Sequence, residues 1–183
     1  SLHIALLVII WVRFAEAVPV AWRWLVHGWA TLIAGSVLTT FQHHFFDIPS
    51  GAAVGLLCVW LWPDGQSSPL TERVQGNWSR RFRLATCYVV AALAMALTAV
   101  TIGGWALWLC WGALALIIVA AIYLGPGAPG FQKHNGRHSL AARWLLAPYF
   151  IGAWLNSRWW TRLQPESNEV LDGVWLGRIP TRT

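Results

Sequence analysis

His43 and Asp47 stand four residues apart in the stretch SVLTTFQHHFFDIPSG, residues 36–51. On a helix that spacing puts both on one face, so the carboxylate can accept a hydrogen bond from one imidazole nitrogen while the other points outward. A histidine oriented in this way serves as a nucleophile or a base. His44, three residues from Asp47, lies near the same face and competes for the role. A second proton carrier, His3, stands at the start of the first apolar run. The alternative is a polar cluster where a membrane helix meets water, with His3 a satisfied polar residue at a helix start.

The elements that must position these groups read as membrane helices. Hydrophobic residues make up 57% of the chain and charged ones 11%, against about 25% charged in an ordinary soluble domain. Fifteen tryptophans fit this, several of them (Trp24, Trp62, Trp78, Trp105) flanking apolar runs, as indole rings favour the headgroup region. Thirteen Lys and Arg against seven Asp and Glu give a net charge of +6, but all the cations except Lys133 are arginines lying between apolar runs. They mark topology rather than nucleic-acid binding. Cys58, Cys87 and Cys110 each lie inside an apolar segment without metal-ligand or disulfide spacing, and read as small packing residues.

The expectation is an all-α polytopic membrane helix bundle of about five spans plus one interfacial helix, with a short truncated soluble tail. The first segment is a truncated span or one continuing to about Ala17. The second runs from about Trp24 to Gln42 and the third from about His44 to Trp62. Residues 1–63 thus form the membrane part carrying the histidines, and 64–83 a cytoplasmic loop. Residues 84–124 form a hairpin of two charge-free spans turning at Gly103-Gly104. GPGAPG at 125–130 ends the fifth span, and residues 125–163 give a basic loop and an interfacial helix around Pro148.

Arg13 and Arg23, Arg73 to Arg83, and Lys133 to Arg143 all fall on one face if each span crosses once, and that face is cytoplasmic by the positive-inside rule. The chain start, the turn from His43 to Asp47, and Gly103-Gly104 then share the extracytoplasmic face. Two histidines and an aspartate together there supply a nucleophile, an orienting carboxylate and a second proton carrier, the parts that phosphoryl transfer through a phosphohistidine needs.

Ser1-Leu2-His3 resembles the end of a Pro-Ser-x-His motif, and Ser36 through Asp47 resembles the Ser-Arg-x5-His-x3-Asp motif of the type 2 phosphatidic acid phosphatase, or lipid phosphate phosphatase, superfamily. The resemblance implies His43 as nucleophile, Asp47 as its partner, His3 as the acid protonating the leaving alkoxide, Ser1 and Ser36 as phosphate-binding residues, and His44 as an auxiliary group. Val37 stands where the motif has an arginine. The wording TFQHHFFD is closer to the branch of inositol phosphorylceramide and sphingomyelin synthases, which transfer headgroups instead of hydrolysing them. The superfamily's Lys-x6-Arg-Pro motif, expected ahead of Ser1, is not in these 183 residues. The chain therefore reads as a fragment, expected to have little or no activity without those cations.

Beyond Arg162, residues 164–183 turn polar and then strand-like from Gly173 to Leu176. VLDGVWLGRIP resembles the opening strand of dual-specificity protein phosphatases. With no cysteine after Cys110, that family's Cys-x5-Arg loop is absent from the chain, and no second active site is assigned. The partners expected are the lipid bilayer and a lipid phosphate, with no nucleic acid, metal or cofactor; the location expected is a bacterial inner membrane, the active site extracytoplasmic and the tail cytoplasmic. A transport or scaffold protein using the same residues as a polar contact or proton path is the reading from another class. The placement of Asp47 and the histidines at span ends, away from the bilayer midplane, argues against it.

Overall fold

The computed structural model describes residues 2–39, 45–65, 67–73, 76–162 and 168–177. It is all-α in class: helices α1 (Leu2–Ala17), α2 (Arg23–Thr39), α3 (Asp47–Leu61), α4 (Trp78–Ile102), α5 (Leu109–Leu124), α6 (Leu140–Leu145) and α7 (Ala147–Trp160) carry the chain. Two antiparallel hairpins of short strands accompany them, β1 (Lys133–His134) with β2 (Arg137–His138), and β3 (Asn168–Leu171) with β4 (Val174–Leu176). The strand-like tail residues thus pair back on the preceding run through a turn at Asp172-Gly173, where Gly173 has φ 77°.

α1 takes in Arg13 and Glu16 and ends at Ala17, the longer of the two extents open to it; α2 ends at Thr39. α3 is shorter than expected at its start, beginning at Asp47 itself. α4 begins six residues before Leu84, at Trp78, because the Asn77 side chain caps it by accepting from the Arg80 N–H at 3.2 Å. The connector therefore ends at Asn77, and Arg80, Arg81 and Arg83 are helical. Two stretches, Trp78–Ile102 and Gly104–Leu124, are long and apolar enough to cross a membrane. Only 17% and 39% of their most apolar windows are buried. Between them Gly103 and Gly104 both take positive φ, 68° and 53°, which a side chain would resist.

The core lies where the two helix groups meet. Val12 of α1, Val59 and Trp60 of α3, and Ile118, Val119 and Ile122 of α5 surround Ala141, Ala142, Leu145 and Leu146. α6 is therefore a buried wedge between α3 and α5, while α7 beyond it buries none of its residues fully. The single interfacial helix expected around Pro148 divides at Leu146 into these two unlike parts. Cys58 is half-buried, but Cys87 and Cys110 are exposed rather than buried packing residues.

α1 and α3 run parallel and close. A Cβ built on Gly55 would stand 2.7 Å from the Ala5 carbonyl oxygen and 2.9 Å from Val8 Cβ. Further along both helices, Arg13 pairs with Asp64 and donates to the Trp62 carbonyl at 2.7 Å. α2 returns antiparallel to α1, joined to it where Trp11 Nε1 donates to His27 Nδ1 at 2.8 Å.

At the far end of α3 a buried polar node fixes the loop after α5. Trp60 Nε1 donates to the Gly130 carbonyl at 2.9 Å, Gln132 Nε2 donates to the Trp60 carbonyl at 2.7 Å, and Ser139 Oγ donates to Gln132 Oε1 at 2.6 Å. Gln132 is 3% exposed with φ 47°, a left-handed conformation kept because these bonds satisfy its amide. Arg81 reaches from α4 to the carbonyls of Tyr123 (2.7 Å) and Gly125 (3.1 Å), capping the end of α5. Arg13, Arg81 and the loop of Lys133 to Arg143 thus gather at one end of the bundle.

Candidate active site

The parallel run of α1 and α3 brings their first turns, with His3 and Asp47, to the other end. Measured from the Trp11–His27 contact, His3 is about 12 Å along α1 and Ser36 about 14 Å along α2, at 1.5 Å per residue. The two are therefore nearly level. Measured from Gly55 and Ala5, Asp47 stands about 9 Å farther toward that same end than His3. Three of the expected site residues, from three helices, share one end of the bundle.

Local structure explains the placement of each. Asp47 is half-buried in the first turn of α3, where a carboxylate is favoured by the unpaired N–H groups and the helix dipole. That alone accounts for an acid at this position. The turn ahead of it is closed by Ile48 N–H to the Phe45 carbonyl (3.2 Å) and by Ser50, whose N–H and Oγ both donate to the Phe46 carbonyl (3.2 and 2.7 Å). Ser36 is exposed in the last turn of α2, its Oγ donating to the Ile33 carbonyl at 2.8 Å. His3 is exposed in the first turn of α1.

His43, His44 and Ser1 lie outside the described residues. Because α3 begins at Asp47, no described helix carries the four-residue spacing on which a shared face of His43 and Asp47 was expected. The last residues of α2 and the first of α3, which flank His43 in the chain, do lie at the end occupied by His3. Among the described residues, no three of His, Cys, Asp and Glu gather into a set that could hold a metal ion.

Two clefts lie at the opposite, basic end. A cavity of about 150 Å³ is lined by Arg13, Asp64, Gln132 and Ser139 among others, and a wider one of about 690 Å³ opens beside the β1–β2 hairpin. Neither includes an expected site residue. Sequence reasoning missed this hairpin, although Asn135-Gly136, with both φ positive (48° and 77°), carries its turn signal. No family model, curated protein or solved structure matches the chain.

Proposed function

We propose that the chain belongs to a polytopic membrane enzyme that transfers the phosphoryl group of a lipid phosphate through phospho-His43. The observation that carries the reading is the common end of His3, Ser36 and Asp47, which three separate helices supply. His43 attacks phosphorus as the ester P–O bond breaks, Asp47 holds the imidazole, and the leaving alkoxide takes a proton from His3. Water, deprotonated by the same His3, then releases phosphate from histidine. Ser36 and Ser1 hold phosphate oxygens. Cations that complete the cradle are required as well, as the resemblance to lipid phosphate phosphatases implies.

The bilayer half of the reading rests on α4 and α5 and on the apolar side chains exposed along α1 and α2, among them Leu6, Ile10, Phe14, Trp29 and Leu32. α1 to α3 at 15 to 17 residues are short against about 20 for a full crossing, a mismatch that local thinning accommodates. With the basic end cytoplasmic, as in a bacterial inner membrane, the His3 end faces outward, α7 lies in the interface and the tail is cytoplasmic.

The test uses the full-length protein, purified in detergent and incubated with phosphatidic acid labelled in its phosphate. An acid-labile, base-stable label on the protein is expected; His43→Ala removes it and His44→Ala keeps it. Asp47→Asn is expected to slow phosphate release about 10²- to 10⁴-fold. Label and phosphate release that survive His43→Ala refute the assignment. Val37, in the place of the motif's arginine, favours a second reading in which a lipid hydroxyl replaces water, read out as a new phospholipid when a lipid alcohol is supplied.

A further inference from the structure

The wide cleft at the basic end is built of parts that the proposed reaction does not use. Ser67, Lys133, His134 and His138 line it over an apolar floor that includes Pro129 and Phe131, and among the described residues no carboxylate does. Asp64, next to the lining residue Gly65, is engaged by Arg13. The cleft is also preformed. His138 Nδ1 bonds the Phe131 carbonyl at 2.9 Å, and its ring packs tilted against Phe150 at 4.6 Å between centroids. Since a carbonyl only accepts, Nδ1 carries the proton, and the ring is held in one orientation. Phe131 is fixed in turn against Tyr149 and Phe150, and the loop beneath is pinned through Gln132 to α3.

We propose that this cleft binds the phosphate-bearing headgroup of an anionic phospholipid, on the face opposite the His3 end. A polar rim carrying one lysine over an apolar floor matches an amphiphile better than a free ion. Its position, where α3 ends and α5 leaves through Gly125, is headgroup level if those helices span, so the proposal rests on the membrane part of the reading above. Basic pockets between spans on the cytoplasmic side take such headgroups. Lys133 supplies the charge, while His134 and Ser67 supply donors to phosphate oxygens.

The test counts lipids retained by the purified protein, using mass spectrometry of protein released from micelles containing phosphatidylglycerol or phosphatidylcholine. Phosphatidylglycerol is expected to be retained in preference. The double variant Lys133→Gln, His134→Gln is expected to bind it at least about fivefold more weakly, from the contribution of one lysine near a headgroup. Arg143→Gln, which removes a charge from the same basic segment but outside the cleft, is expected to leave binding within about twofold. Unchanged thermal melting of the double variant establishes that it is folded; if it melts early, Lys133→Gln alone is measured under the same expectation. Equal losses in the Lys133 and Arg143 variants, equal retention of phosphatidylcholine, or full displacement by millimolar inorganic phosphate overturns the proposal. A protein that stays monodisperse without detergent would instead overturn the membrane reading, a separate result.

Discussion

Gly55 is where the packing that places the candidate site can be tested most directly. Its missing side chain lets α1 approach α3 until an added Cβ would sit 2.7 Å from the Ala5 carbonyl oxygen, 2.9 Å from Val8 Cβ and 3.2 Å from Ala5 Cα. Carbon atoms pack best at about 3.5–4.0 Å, and two of the three obstructing atoms are backbone, so Gly55→Ala must push the helices apart. Such overpacking costs about 1–3 kcal/mol, offset by about 1 kcal/mol from replacing a helical glycine. Gly28 in α2 is the internal reference: an added Cβ there meets nothing within 4 Å, so Gly28→Ala keeps the gain without the clash. The difference in stability between the two variants, followed by tryptophan fluorescence during thermal melting in detergent, therefore isolates the packing cost at about 1–3 kcal/mol. Gly112→Ala falls between them, since it meets only the mobile thioether end of Met95. Phosphate release should fall further in Gly55→Ala than the loss of folded protein explains, because parting α1 from α3 moves His3 relative to Asp47. A Gly55→Ala protein as stable as Gly28→Ala would refute the close packing and, with it, the argument that brings His3 and Asp47 to one end.

Two further outcomes follow from the basic end. Gln132→Ala strips the Trp60 carbonyl and the Ser139 hydroxyl of their partner inside a buried node and should destabilise by about 1–3 kcal/mol, measured by melting, with little change in the activity of the protein that remains folded. Arg81→Met leaves the carbonyls of Tyr123 and Gly125 uncapped and should cost about 1–3 kcal/mol; faster amide exchange confined to the last turn of α5 checks it.

The helices of the 84–124 hairpin were legible because charge-free runs of membrane length bounded by Gly103-Gly104 and GPGAPG leave few other structures open. α6 was not. In LAARWL the outward Arg143 and Trp144 interrupt the apolar run, and its burial depends on α3 and α5 arriving on both sides of Ala141, Ala142 and Leu145. The start of α4 was hidden for a similar reason: three arginines within six residues look like a loop, yet the Asn77 cap begins a helix there and Arg81 is used on the neighbouring helix. At the candidate site, the apolar run placed Asp47 near the start of a helix but could not fix where α3 begins. A helix start is decided by which residue caps it, and here the cap position falls on Phe46, which makes no side-chain cap bond, with Asp47 already inside the first turn.

The contacts that tie the helices together bear on how a site here would work. Described bonds that tie distant segments at the basic end are polar, some of them buried: Arg13 to Asp64, Trp60 to Gly130, Gln132 to Trp60, Arg81 to the end of α5. Such groups have discrete partners, and breaking one leaves an unsatisfied group in a low-dielectric setting, which keeps that end in one arrangement. Toward the His3 end, α1 meets α3 through the glycine contact at Gly55 and meets α2 through the Trp11–His27 bond. Small-residue contacts of this kind let backbones approach closely, and this one sets how far α1 stands from α3 and, with it, His3 from Asp47. In the proposed phosphoryl-transfer reading, the spacing of those two groups is what the chemistry depends on. By the same reasoning, disrupting the Gln132 node should act on catalysis through the amount of folded protein, whereas disrupting Gly55 should act on the chemistry itself.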